Sequence, residues 1–94
     1  MTKVGFELDN EVHQALGGKG HSLPWSTTDS IAATLLSKAT RRGWLWTVTN
    51  NTGLQRLVDC GIGVDGPLGM CHVKAPTFAE AVSRAFVAAA KESS

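Results

Sequence analysis

The chain has 94 residues and a mass of 9.9 kDa, with 43% hydrophobic and 18% charged residues. Nine Lys and Arg against eight Asp and Glu leave a formal net charge of +1. These values fit one small domain spanning 1–94, exclude intrinsic disorder, and give no electrostatic reason to expect bulk DNA or an anionic membrane as partner.

A first short helix is predicted over Glu7 to Leu16. Leu8, Val12, Ala15 and Leu16 share one face, and Gly17 can end the helix in a left-handed conformation. A loop from Gly18 to Trp25 follows. Its Gly17-Gly18-Lys19-Gly20 run has the look of a phosphate loop, but Lys19 precedes Gly20, His21 intervenes before Ser22, and a helix stands where a strand is required. A plain connection is expected there. The second helix opens at Ser26 as cap, with Asp29 three residues on. Ile31, Leu35 and Ala39 form its stripe, widened by Ala32 and Leu36. Lys38, Arg41 and Arg42 gather in its last turns, where cations oppose the negative helix end, and Gly43 terminates it.

Trp44 to Asn50 reads as a strand, being aromatic or β-branched almost throughout. Asn50-Asn51-Thr52-Gly53 is a turn cluster. Val58, Cys60, Ile62 and Val64 then alternate with Leu57, Asp59, Gly61 and Gly63, the period of a strand with one buried face. Asp65-Gly66-Pro67 turns the chain into a third strand, Gly69 to Ala75, with Cys71 and Val73 inward and Met70, His72 and Lys74 on the other side. Pro76 ends it. Thr77-Phe78-Ala79-Glu80 is a capping box for a last helix whose apolar face is Phe78, Ala81, Val82, Ala85, Phe86 and Ala89. The tail Lys91-Glu92-Ser93-Ser94 is expected to fray. The order α-α-β-β-β-α with short links between strands specifies an α+β fold. Its sheet is a three-stranded antiparallel meander with helices packed on one or both faces.

Few residues assemble into chemistry. A turn at Asp65 to Leu68 sets Ile62 opposite Cys71 and Cys60 opposite Val73, so the two thiols lie on a diagonal and are expected free, in the core. No Cys-x-x-Cys pair exists, and Cys71 and His72 point to opposite faces of a strand, so no metal site or other cofactor is expected. His13, His21 and His72 make no visible nucleophile-and-base pair, and no catalytic residue is assigned: the chain reads as a non-enzyme. Trp44 and Trp46 face one side of the sheet and are expected to line the core with Val48. The alternative sets Trp44 and Trp46 with Arg41 and Arg42 as a grip on single-stranded nucleic acid. Leu45, Leu57, Leu68 and Met70 are apolar yet point away from the core face, which makes them candidates for a protein contact. No apolar run approaches the ~20 residues of a membrane span. The segment Met1 to Glu7 lacks the apolar stretch of a signal peptide, so an intracellular, reducing setting is expected.

The order and spacing of several motifs resemble the phage ABA-sandwich family of small phage and prophage proteins. The resemblance rests on Pro24-Trp25-Ser26, then Asp29, Ala32 and Ala33, then Gly43-Trp44 leading into strands, and finally Ala75 to Thr77 with Glu80-Ala81 through Arg84-Ala85. It spans roughly Leu8 to Ala89. It implies an α/β/α layered sandwich and a phage or prophage genome, and it carries over no activity and no catalytic residue. The expectation is a phage or prophage accessory protein in the cytoplasm of the bacterial host. It would act by protein contact, as a homodimer or on a host or phage protein.

Overall fold

The structure, a computed structural model, describes residues 3–18, 23–50, 57–65 and 70–93. Helix α1 spans Phe6–Ala15, α2 Asp29–Arg41, β1 Leu45–Asn50, β2 Val58–Gly63, β3 Cys71–Ala75 and α3 Phe78–Ser93. The order and the α+β class match the sequence reading, with ends moved by one or two residues, except that α3 continues through Lys91, Glu92 and Ser93, where the sequence reading has a frayed tail. The strands lie in the order β1-β2-β3, antiparallel throughout. Cys60 faces Val73 and Ile62 faces Cys71, the register that the alternation of apolar residues requires. Turn residues 51–53 and 66–68, loop residues 19–22 and Gly69 lie outside the described residues.

Glycine conformation ends the first two helices. Gly17 and Gly18 (φ 109° and 69°) follow α1, and Gly43 (φ 79°) follows α2, all in the left-handed region. Helix α3 packs against β2, β3, α1 and α2, and α2 also meets β1. Ala79, Ala81, Val82, Ser83, Ala85, Phe86, Val87 and Ala89 of α3 are therefore buried, nearly all the way round the helix. Its alanines let three neighbours approach one axis closely.

The second face of the sheet carries Thr47, Thr49, His72 and Lys74, all exposed, and no described helix covers it. The α/β/α layering implied by the resemblance is thus corrected to helices on one face. The reason lies in composition: a second helical layer needs an apolar surface to bury, and Thr47, Thr49, Asp59, His72 and Lys74 do not supply one.

Two capping assignments also change. Thr28 occupies the cap position of α2 and makes no side-chain cap bond. Ser26 is instead 1% exposed and joined to α1. Its Oγ accepts from the Gly5 N–H at 2.8 Å and donates to Asp9 Oδ1 at 2.7 Å, and its own N–H donates to the same oxygen at 2.7 Å. Asp29 serves α3: its Oδ1 accepts from the Ala79 N–H at 3.1 Å. At Thr77 half of the expected box forms. Thr77 Oγ1 accepts from the Glu80 N–H at 3.2 Å, while the Glu80 carboxylate takes Arg84 Nε at 2.8 Å rather than reaching back.

Candidate functional site

Trp44 and Trp46, paired by the sequence pattern, part company in the structure. Gly43 turns the chain out of α2, and the Trp44 N–H donates to the Ala39 carbonyl at 3.0 Å. Trp44 is buried one residue before β1, as expected. Its ring lies 5.5 Å from that of Phe86, and the Arg42 guanidinium sits 5.0 Å over Trp44 and 5.3 Å over Phe86. Trp46 departs from the core expectation: it is 41% exposed, and Val48 is half-buried. Alternation fixes which face a side chain takes but not how far a helix extends over it. β1 is an edge strand, and α2 reaches it only in part. The Trp46 Nε1–H donates to Thr40 Oγ1 at 2.9 Å, and that hydroxyl donates to the Leu36 carbonyl at 3.1 Å.

The basic cluster lies elsewhere. Lys38, Arg41 and Arg42 line a shallow depression of about 270 Å³ together with Leu16. At about 100° per residue, Thr40 stands about 100° around α2 from Arg41 and about 200° from Arg42, so the Trp46 indole is held away from Arg42. Of the four residues of the nucleic-acid reading, Arg42 meets Trp44 and shares the depression with Arg41, while Trp46 is set apart from them. Trp44 is inside, Arg42 is laid over it, Arg41 borders the depression, and Trp46 lies beyond Thr40.

The thiols and the histidine take opposite faces of the sheet. Cys60 is fully buried on the helix side of the central strand. Burial, with the neighbouring Asp59 charge second, pushes its thiol from 9.0 up to about 12, so it stays protonated and unreactive at neutral pH. Cys71 is half-buried, and both thiols are free. On the other face, His72 Nδ1 lies 3.1 Å from Asp59 Oδ1. The imidazole rests over Gly61, where a Cβ would come within 2.7 Å of the ring. Sequence reasoning missed this pair, although the strand register already placed His72 opposite Gly61 and diagonal to Asp59. Cys60 and His72 cannot meet through the sheet. Among the described residues, no three His, Cys, Asp or Glu side chains converge as metal ligands would.

Of the apolar contact candidates, Leu45 is 48% exposed, Leu57 and Met70 are half-buried, and Leu68 lies outside the described residues. They do not form the single patch expected. Leu45 pairs with Gly63 at one end of the sheet, where Met70 also lies just before β3. Leu57 precedes β2 at the opposite end, about 20 Å away at ~3.3 Å per residue. What stands out instead is β1 itself. Five of its six residues are exposed, Leu45 and Trp46 among them, and none carries a charge. No helix of the described residues is long and apolar enough to cross a membrane. No family model matches the chain, and neither a curated protein nor a solved structure does.

Proposed function

We propose that the chain acts by protein–protein contact rather than by catalysis, as an accessory protein of a phage or prophage in the cytoplasm of its bacterial host. One observation carries the contact reading: Leu45 and Trp46, two of the exposed large apolar side chains, follow one another on an uncharged edge strand, one on each face of the sheet. Exposed strand edges of this kind recruit partner chains. The separation of Cys60 from His72 favours the same reading, because the thiol and the imidazole lie on opposite faces of the sheet. The phage setting draws its support from the Pro24-Trp25-Ser26 and Gly43-Trp44 motifs. Phage genes beside its own are expected, and a housekeeping operon there overturns that part.

Contact itself is tested in the cell that makes the protein. A photo-reactive amino acid placed at Leu45 should yield covalent adducts with protein on illumination. The same group at Ala33, exposed on α2, should yield none. Absence of any adduct at Leu45 overturns the reading.

A further inference from the structure

We infer that the partner of β1 is a second copy of this chain, joined strand to strand and antiparallel about a two-fold axis through Thr47. The inference rests on the contact reading above and names its partner. The argument begins with the difference between the two sheet edges. The β3 edge is guarded: His72 and Lys74 are exposed along it and Pro76 follows at once. A lysine charge and a proline so placed are ordinary means of stopping strand addition. The β1 edge has none of them. Leu45 to Asn50 contains no proline and no charge, includes Trp46, Thr47, Val48 and Thr49, and runs in unbroken register with all six residues of β2, from Leu45–Gly63 to Asn50–Val58. A regular strand without a bulge presents a straight ladder of backbone groups, and among the described residues nothing pairs with its outer side.

Charge and symmetry select a second copy. A strand with neither charge nor proline can pair along the whole of this edge, and β1 is itself such a strand. Two-fold pairing opposes each residue to its reciprocal. An axis at Thr47 sets Thr47 against Thr47 of the partner subunit, Trp46 against Val48 of the partner subunit, and Leu45 against Thr49 of the partner subunit. The Trp–Val pairs recur twice on the helix side and cover the exposed indole. Aromatic and β-branched pairs of this type stabilise antiparallel ladders. No like charges meet in the ladder, and a net charge of +1 leaves little repulsion between approaching copies. The product is a continuous six-stranded sheet in which both β1 strands have become interior.

The test uses the purified chain in sedimentation experiments, where twice the 9.9 kDa chain mass is expected. Thr47 is exposed, so Thr47→Lys and Thr47→Glu should each keep the native circular dichroism and melting curve. Each alone should dissociate, with dimer affinity lowered about tenfold or more, because like charges then face each other on the axis. An equimolar mixture of the two should restore the dimer, an outcome that misfolding cannot imitate. Lys74→Glu on the guarded edge should leave it unchanged. A wild-type chain that stays monomeric, or Thr47→Lys and Thr47→Glu chains that dimerise as well as wild type, overturns the inference. If such a monomer still forms adducts from position 45 in cells, the contact reading survives with a different partner; if it forms none, both fall.

Discussion

Cys60 gives the residue scale its clearest consequence. Its folded-state pKa of about 12 stands above the 9.0 of a free thiol. Between those values the unfolded chain has lost the proton and the folded chain has kept it, so the unfolded state is favoured as pH rises. Stability contributed by this thiol is complete below pH 9 and declines above it, by about 1.4 kcal/mol per pH unit at most. Urea unfolding at pH 8 to 11 should show the decline, and Cys60→Ala should flatten it. The chain contains no Tyr to add its own titration in this range. At neutral pH, alkylating reagents should find Cys71 before Cys60. The inward direction of Cys60 was legible because its neighbours alternate so regularly. The exposure of Trp46 was not. A strand pattern reports a face, and only the reach of α2 over β1 decides how much of that face stays wet.

At the scale of elements, α3 shows how local and distant groups divide one task. The first turn of a helix has free N–H groups with no intrahelical partner. In α3 one of them is met by Thr77, three residues away, and the one before it by Asp29, fifty residues away. Thr77→Ala should lower stability by about 1 kcal/mol. Asp29→Ala should cost a similar amount although it alters the first residue of a different helix. Thermal melts of the single and double variants check this, and near-additive losses are expected because the two side chains serve different N–H groups. The Thr77 signal could be read from sequence since it depends on a spacing of three. Ser26 and Asp29 carry the same spacing, yet both are drawn away by tertiary partners. A capping pattern marks side chains able to accept from a backbone N–H, and the fold chooses which one.

The whole molecule is tied together by a few such long-range bonds. Ser26 joins the segment before α2 to Asp9 in α1 and to Gly5 just ahead of it. Ser26→Ala removes the hydroxyl from a buried position and leaves the Gly5 N–H without its acceptor. A loss of about 1–3 kcal/mol is expected in urea unfolding. Hydrogen exchange should quicken most in α1, which this network holds and which packs on α3 rather than on the sheet. An equal loss of protection in β2 would mean that Ser26 supports the core generally and not the docking of α1.

The placement of α3 also sets the timing of assembly. The chain is made from its N-terminus, and the helix that touches α1, α2, β2 and β3 is synthesised after all of them. Leu8, Leu35 and Ile62 have their final surroundings only once residues 78–93 have left the ribosome. Until then the nascent chain holds an apolar sheet face and two helices without their common partner, together with the unguarded β1 edge. Such segments are open to the wrong neighbour while they wait. Newly made chains would therefore depend on chaperones or on rapid completion of synthesis, and truncation anywhere before Phe78 should leave a product that is degraded rather than folded.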